Sequence, residues 1–348
     1  MPAPVRFALA GFGAWGKLHA QSIAGNPEAE LAAIAAPSEA SRAEAAALHP
    51  GARVFSDVQE MLEKAEFDIL DVVTPSHTHR ELALAAMRRG KHVLLEKPMA
   101  ITLEDCKAIV AAAEEHQVHL AVGHELRLSS QWGRVKETIN AGTIGEPQYV
   151  LVELSRKPYR LGANGWRYDP GRVGSWVLEE PIHFFDLARW YLEGSGNPVE
   201  LQAYGNSRDP ARPGLFDNFS AMFRYANGSY AVVSQTLAAF EHHQTVKVSG
   251  TKGALWAGWS GALDRTLEPS YFLKVFNGEK LEEVKIEKHS GEVFELREEI
   301  AQCVEMVRTG RSPIATGYDG LWSAGLCLVA EESIRQNRPL PVGELLKF

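Results

Sequence analysis

The chain has 348 residues, of which 45% are hydrophobic and 23% charged, and its formal net charge is -8. These values are typical of a globular enzyme with two domains, and without a long basic run they disfavour a nucleic-acid partner. Three widely spaced cysteines predict neither a disulfide framework nor a metal site, so we expect a reducing cytoplasm and no metal. No segment has the ~20 apolar residues that span a bilayer, so no membrane contact is expected.

The first 124 residues alternate buried strands with amphipathic helices. Continuous apolar strands separated by helices indicate an α/β domain with a doubly wound parallel sheet, a Rossmann domain at 1–124. The predicted strands are 5–11, 30–37, 68–75, 91–98 and 118–124. The predicted helices are 15–24, 38–48, 78–89 and 102–115.

Residues 125–348 predict a second domain of α+β type. Period-two alternation in its strands indicates a mostly antiparallel open sheet covered by helices on one face. We expect the C-terminal helices to pack over this sheet or back on the Rossmann domain, and the active site to lie in the cleft between the domains. The predicted strands are 147–155, 199–205, 218–225, 229–237 and 245–250. The predicted helices are 131–141, 182–192, 294–309 and 317–336.

Three glycines follow the first predicted strand directly and precede the first predicted helix. Their G-x-G-x-x-G spacing is typical of a dinucleotide-binding turn, where glycine permits a tight turn and close approach of a pyrophosphate. The N–H groups at the start of the helix favour that anion. An ordinary glycine-rich turn is the alternative. The predicted phosphate-binding residues are Gly11, Phe12, Gly13, Ala14, Trp15 and Gly16.

The cofactor is predicted to be NAD or NADP, and the sequence leaves the choice open. An acidic residue that binds the ribose is expected about 20 residues after the turn, but that position is Ala36. Nearby, Ser38 and Arg42 are candidates to bind a 2′-phosphate. For Arg42 the alternative is a solvated position on a helix.

Lys97 closes the predicted strand 91–98, next to Glu96. The carboxyl ends of parallel strands face the ligand crevice, so this lysine is expected at the cofactor end of the sheet. Partial burial would lower its pKa and suit it to exchange a proton with an alcohol or a ketone. A surface lysine paired with Glu96 is the equally weighted alternative.

Three motifs together resemble the Gfo/Idh/MocA oxidoreductases, which include inositol dehydrogenases and glucose–fructose oxidoreductase. They are the glycine turn, Thr74-Pro75 followed by His79, and Glu96-Lys97-Pro98. The resemblance covers essentially the whole chain. It implies that Lys97 is the catalytic lysine and that Pro98 follows a cis peptide. It also implies that Thr74, Pro75 and His79 line the cofactor, and that Glu96 approaches its ribose or nicotinamide.

The second signature of the family is matched in part at 173–186. His183 and Asp186 match it, whereas Glu179 stands where the family usually has aspartate and Pro181 where it has glycine. His183 and Asp186 are three residues apart on one helix face, so the acid is expected to hold the imidazole. The resemblance implies catalytic roles for His183 and Glu179. A core histidine among phenylalanines is the alternative for His183.

Further residues are candidates for the substrate pocket. By resemblance, the loop after the first strand of the second domain and the residues after the last Rossmann strand approach the nicotinamide and the substrate. Arginines are frequent here, including Arg156 and Arg172, which suggests either an anionic sugar or scattered solvated side chains. The predicted substrate-binding residues are Lys97, His124, Arg127, Tyr159, Arg160, Trp166, Arg167, Glu179 and His183.

The sequence therefore predicts an NAD(P)-dependent oxidoreductase that moves a hydride between nicotinamide and a secondary alcohol or ketone of a sugar or polyol. Lys97 is the first candidate to carry the proton, His183 is its rival, and Glu179 would relay or orient. One alternative is an NAD-dependent glycoside hydrolase that oxidises its sugar transiently, and another is a non-catalytic NAD(P)-binding regulator. A homodimer or homotetramer that assembles through the second sheet is expected.

Overall fold

A computed structural model describes residues 2–237 and 240–343, which divide into two compact units. The first unit consists of residues 2–125 and 295–321. The second consists of the described residues in 126–294 and from 322 onward. The chain thus leaves the first unit, builds most of the second, and returns.

The first unit is a Rossmann fold. Its described strands form a six-stranded parallel sheet in the order β3-β2-β1-β4-β5-β6. The strands are β1 (Val5–Ala10), β2 (Ala29–Ala35), β3 (Arg53–Phe55), β4 (Ile69–Val72), β5 (His92–Leu95) and β6 (Leu120–Val122). The helices are α1 (Ala14–Ala24), α2 (Glu39–Leu48), α3 (Val58–Lys64), α4 (His79–Met87) and α5 (Leu103–Glu115). The order reverses between β1 and β4, which is where ligands bind in such sheets.

Local sequence explains why these helices begin where they do. The side chains of Ser38, Asp57 and Thr102 each accept a hydrogen bond from the backbone N–H three residues later. Such caps satisfy N–H groups that have no partner within the helix. The helix α1 differs, because its N-cap is Gly13 and makes no side-chain cap.

The segment 295–321 completes the core of the first unit. It carries most of α9 (Glu292–Thr309) and the start of α10 (Gly317–Gln336). Ile300, Cys303 and Val304 belong to the same apolar cluster as Phe7 and Leu9 of β1. Just before α10, a bridge joins Thr316 to Ala121 of β6.

The second unit is built on a mixed sheet of nine strands among its described residues, in the order β14-β13-β12-β11-β7-β10-β9-β8-β15. The pairing of β7 with β10 is parallel, and the other neighbours are antiparallel. The strands are β7 (Pro147–Arg156), β8 (Glu200–Asn206), β9 (Asn218–Arg224), β10 (Tyr230–Thr236), β11 (His242–Gly250), β12 (Ala254–Gly261), β13 (Ser270–Phe276), β14 (Leu281–Glu283) and β15 (Leu340–Pro341). The remaining helices are α6 (Trp132–Asn140), α7 (Pro170–Val173) and α8 (Pro181–Tyr191).

One face of this sheet is covered by α8. Phe185 of that helix stacks on Phe219 and Phe223 of β9 at ring-centre distances of 6.3 and 6.0 Å. The predicted fold class is therefore confirmed, a parallel Rossmann sheet plus a mostly antiparallel sheet with helices. Within the described part of the chain, no helix combines the length and the apolar character that a bilayer crossing needs.

Candidate active site

The glycine turn has two glycines that the fold requires and one that it does not. Gly11 has φ +100°, and a Cβ there would lie 2.2 Å from the Val73 carbonyl oxygen. A Cβ on Gly16 would lie 2.2 Å from the Gly11 oxygen, whereas one on Gly13 would meet no atom within 4 Å. No protein contact explains the missing side chain of Gly13, and the space beside it suits the close approach of a pyrophosphate.

The start of α1 has the properties of an anion site. Gly13 provides no side-chain cap, and the first turn carries no acidic residue. Its N–H groups and dipole therefore favour a negative charge. The side chain of Phe12 is buried in the core of the unit, so we interpret Phe12 as a residue that would contact the cofactor through its main chain alone. These residues fit a dinucleotide phosphate.

The loop after β2 has side chains that stabilise the protein itself. Ser38 caps α2 by accepting a hydrogen bond from the Ser41 amide over 3.0 Å. The Nη1 atom of Arg42 donates to the carbonyl oxygens of Ala36 and Pro37 over 3.0 and 2.6 Å. A role for Ser38 or Arg42 in binding a 2′-phosphate stays a prediction, and any such role would compete with these hydrogen bonds.

Glu96 is fixed from two sides below the turn that carries Lys97. Its Oε1 accepts a hydrogen bond from the indole of Trp15 over 2.8 Å and lies 3.1 Å from Nε2 of His19. Its Oε2 accepts the main-chain amide of Lys97 over 3.1 Å. Glu96 is buried, whereas Lys97 is half-buried. The Lys97–Pro98 peptide is cis, as the resemblance implied.

Sequence reasoning missed two side chains that complete this network. His19 of α1 lies with Nδ1 2.9 Å from Oδ2 of Asp71 in β4, and both side chains are fully buried. Burial opposes a charged imidazole, but the carboxylates of Asp71 and Glu96 outweigh it and raise the pKa of His19 well above its usual value. The sequence offered one signal, since His19 and Trp15 are four residues apart on one face of α1.

Glu299 of α9 adds a third carboxylate to those of Asp71 and Glu96 around His19. Donor atoms of His19, Glu96 and Glu299 lie within 4.8 Å of one another, a spacing that would also suit a metal ion. Because both ring nitrogens of His19 already contact carboxylates, we interpret the cluster as a proton-sharing network. The prediction that the chain binds no metal stays a prediction.

His79 joins two turns of the first unit from behind. Its Nδ1 lies 2.9 Å from the Pro98 oxygen and its Nε2 2.8 Å from the Thr74 oxygen. The ring is fully buried, and this burial lowers its pKa. We therefore interpret His79 as support for the turns at Thr74 and Pro98, rather than as a residue that lines the cofactor through its side chain. Thr74 and Pro75 are half-buried.

In the second unit, Asp186 pairs with an arginine that helix spacing does not predict. Nε and Nη2 of Arg127 each donate to a carboxylate oxygen of Asp186 over 2.7 Å, and both side chains are buried. The predicted contact of Asp186 with His183 stays a prediction. We now interpret Arg127, expected at the substrate, as a residue that anchors α8. His183 lies in the first turn of that helix and is 2% exposed.

The acidic residues before α8 also pair with arginines. Nε of Arg167 donates to Oε1 of Glu179. Arg156 donates to Glu180, the N-cap residue of α8, and contacts Asp264 over 3.5 Å. Arg160 contacts the other oxygen of Asp264 over 3.1 Å. The three arginines and three carboxylates of this group therefore nearly cancel in net charge.

The aromatic candidates of the same loop are partly structural. Tyr159 is buried in a small core with Trp176, and its hydroxyl donates to Oε1 of Gln235 over 3.0 Å. Trp166 packs against that core, and the guanidinium of Arg167 lies 4.5 Å from its ring centre. In the first unit, His124 follows β6 and is 1% exposed. Substrate contacts of Tyr159, Trp166 and His124 stay predictions.

Comparison with known proteins identifies the family of the chain. Residues 5–124 match the model of the oxidoreductase family with an NAD-binding Rossmann fold, and residues 132–256 match the GFO/IDH/MocA C-terminal domain. The chain belongs to the Gfo/Idh/MocA family. It is an oxidoreductase with an NAD-binding domain, which confirms the predicted family, enzyme class and dinucleotide cofactor.

Named relatives include enzymes that act on sugars and polyols. The chain is 30% identical to 1,5-anhydro-D-fructose reductase of Ensifer adhaerens over 83% of its own length and 84% of that protein. It is 26% identical to myo-inositol 2-dehydrogenase of Thermotoga maritima, over 98% and 100%. A crystal structure of a putative myo-inositol dehydrogenase from Sinorhizobium meliloti 1021 has a TM-score of 0.81 at 25% identity, over 97% and 100%.

Proposed function

We propose that this protein transfers a hydride between a nicotinamide dinucleotide and a secondary alcohol or ketone of an uncharged polyol or sugar. The observation that carries the proposal is the fixed Glu96-Lys97-Pro98 turn at the end of β5, in the same unit as the glycine turn. When bound, the cofactor would accept or give the hydride at its nicotinamide ring.

The residues of the first unit would have separate tasks. Gly13 and the start of α1 would hold the pyrophosphate, because the turn leaves space and N–H groups there. Lys97 would take the hydroxyl proton on Nζ during oxidation and return it during reduction. Glu96 would hold the main chain of Lys97 through its amide hydrogen bond.

In the second unit, we assign His183 as the second proton carrier and Glu179 as the group that orients Arg167. His183 lies in the first turn of α8, the helix that the Arg127–Asp186 pair fixes within the unit. Glu179 is buried and accepts from Arg167. The conservative variant Glu179→Gln should raise KM more than it lowers kcat, because it weakens the hydrogen bond that orients Arg167 without removing a proton carrier.

The arginines favour an uncharged substrate over the anionic one that the sequence suggested. Five arginines of 127–172 were candidates to bind an anionic sugar. Four of them pair with carboxylates: Arg127, Arg156, Arg160 and Arg167. The fifth, Arg172, donates to the Asn164 oxygen over 3.3 Å. A sugar carboxylate that binds one of the four paired arginines would compete with the carboxylate already there, which costs desolvation and Coulomb energy. Saturation curves for an aldose sugar and for the corresponding uronic acid test the choice.

The experiment for the reaction is a panel of polyols and sugars with NAD and with NADP, followed at the nicotinamide absorbance band. Lys97→Ala should lower kcat by ~10²–10⁴-fold with a substrate that the wild type turns over, as expected for loss of a general acid–base group. Lys64→Ala is the matched control, since Lys64 is an exposed helix residue paired with Glu60. Near-normal kcat in Lys97→Ala would contradict the assignment.

The same panel separates the alternative functions. A glycosidase that oxidises its sugar transiently would release an aglycone with no net change in nicotinamide absorbance. A regulator would bind NAD or NADP and turn over no compound of the panel. Either outcome replaces the proposed dehydrogenase or reductase.

We also propose that two or four copies assemble through the open face of the large sheet, the face opposite α8. A row of directly paired residues crosses it, and the row includes Met222, Val232, Leu151, Lys247 and Trp256. Met222 and Trp256 are 48% and 45% exposed. Exposed apolar side chains in a row are typical of a protein interface. Met222→Lys should lower the mass found by light scattering, whereas an unchanged mass would exclude this face.

The expected setting is a reducing cytoplasm, with a small-molecule substrate and no nucleic acid. Cys106, Cys303 and Cys327 are free and buried. Buried free thiols are typical of proteins in reducing compartments. Cell fractionation tests this expectation.

A further inference from the structure

Four ionisable side chains meet inside the first unit, behind the turn that carries Lys97. They come from α1, β4, the end of β5 and α9: His19, Asp71, Glu96 and Glu299. All four are buried, with 0 to 6% of each residue exposed. A cluster of this charge density in a protein interior is costly unless its protons are arranged to balance it.

Glu96 connects this cluster to Lys97. One carboxylate oxygen accepts the Lys97 amide, and the other accepts the Trp15 indole beside His19. Both oxygens are thus committed to fixed partners. A new negative charge next to Glu96 would repel this carboxylate and so act on the lysine turn.

Glu299 is the group that decides whether such a charge is present. Its Oε2 is buried and has no hydrogen-bond partner among the described residues. Burial, and then the charge of Glu96, raise the pKa of Glu299 to about 8. At neutral pH the side chain therefore carries its proton, and the imidazolium of His19 faces two carboxylates rather than three.

We propose that Glu299 is a positioning residue for the Glu96-Lys97-Pro98 turn: as a neutral acid it leaves Glu96 in place, and as a carboxylate it displaces Glu96 and slows the reaction. This inference rests on the proposed function, because Lys97 is there the proton carrier. Glu299 acts through Glu96 and touches neither substrate nor cofactor. Its proton passes to solvent water when the pH rises.

The other groups that face Glu299 do not account for the same change. Burial opposes the charged form of His19, but the carboxylates of Asp71 and Glu96 outweigh it and raise the pKa of the ring well above the usual value. The charge of His19 and its hydrogen bond lower the pKa of Glu96 despite burial, while burial raises the pKa of Asp71. Cys303, one turn further along α9, is held neutral because burial and Glu299 raise its pKa.

The test compares wild type with Glu299→Gln, which has the same shape and cannot lose a proton. From about pH 6 to about pH 10, wild-type kcat should fall at least ~5-fold on the alkaline side while KM stays nearly constant. Glu299→Gln should keep its neutral-pH kcat and lose this fall. The control is Glu305→Gln, since Glu305 is an exposed residue of α9 paired with Arg311 over 2.7 Å. An alkaline fall that persists unchanged in Glu299→Gln overturns the inference.

A second readout needs no turnover. The indole of Trp15 donates to Glu96, so the fluorescence of Trp15, taken as wild type minus Trp15→Phe, should change with pH in wild type and not in Glu299→Gln. If the panel finds no substrate, the proposed function fails while this titration still decides the inference. Equal fluorescence changes with and without Glu299 would overturn it.

Discussion

Arg127 and Asp186 form a two-point ion pair inside the second unit, 59 residues apart in sequence, with both N–O distances at 2.7 Å. The guanidinium also lies 5.2 Å from the ring centre of Trp190, on the same helix as Asp186. The pair fixes α8, the helix that begins two residues before His183. It therefore connects the stability of the unit to the placement of a proposed proton carrier.

Removal of one partner should destabilise the protein strongly. Arg127→Ala removes two charged hydrogen bonds from a buried carboxylate, and we expect a loss of ~3–5 kcal/mol in the free energy of unfolding. The double variant Arg127→Ala with Asp186→Ala should be less destabilised than the sum of the single variants. Denaturant titrations of the four proteins measure the coupling. Strict additivity would show that the pair contributes no interaction energy.

The glycines of the turn should separate cofactor binding from stability. Gly13→Ala meets no protein atom, so it should leave the melting temperature unchanged and weaken NAD(P) binding by about tenfold, or ~1.4 kcal/mol. Gly16→Ala places a Cβ 2.2 Å from the Gly11 oxygen and should cost ~1–3 kcal/mol of stability. Calorimetric titration and thermal melts measure both. Unchanged cofactor affinity in Gly13→Ala would show that the pyrophosphate does not bind next to Gly13.

Arg42 tests the origin of cofactor preference. Its Nη1 donates to two carbonyl oxygens of the loop after β2, so Arg42→Ala should loosen that loop for both dinucleotides. We expect the affinities for NAD and NADP to fall by similar factors, each by less than about tenfold. A loss confined to NADP would instead show that Arg42 binds the 2′-phosphate. The ratio of the dissociation constants for NAD and NADP, measured in wild type and in Arg42→Ala, distinguishes the two roles.

Glu331 of α10 should make the second unit sensitive to pH. Burial raises its pKa from 4.5 to about 7, although a hydrogen bond with Ser175 opposes this. The folded state then holds a proton that the unfolded state loses, so stability falls as pH rises from about 4.5 to about 7 and is constant above. The change is on the order of 3 kcal/mol.

Glu331→Gln removes this dependence, and thermal melts across the same pH window measure it. The melting temperature of the variant relative to wild type should rise with pH. Glu114→Gln, at an exposed position on α5, controls for the removal of a charge. Parallel curves for wild type and Glu331→Gln would show that Glu331 titrates as an ordinary surface acid.

The sequence predicted the parts of the fold that have strong periodicity. The Rossmann strands are continuous apolar runs, and α1, α2, α4 and α5 lie within about two residues of their predicted bounds. The strand β3 and the helix α3 were missed because three and seven residues give too little periodic signal. The strands β12 and β13 were also missed, and in β12 the glycines and tryptophans of 254–261 obscure the alternation.

The site was predictable where its residues are close in sequence. The glycine turn and the lysine turn each form a local motif. The network behind Glu96 is not local, because His19 lies 77 residues from Glu96 in the chain and Glu299 comes from a helix near the other end. The same limit explains Arg127, which provides two charged hydrogen bonds to Asp186 from 59 residues away in the chain, where helical spacing gives no signal.

The return of the chain through 295–321 has a consequence for synthesis. Ile300, Cys303 and Val304 fill the core around β1, and Thr316 bridges to β6. On the ribosome, the unit that holds the glycine turn stays incomplete until more than nine-tenths of the chain has emerged. Part of the apolar surface of the nascent Rossmann sheet therefore stays uncovered until 295–321 is translated. This segment follows most of the second unit in the chain.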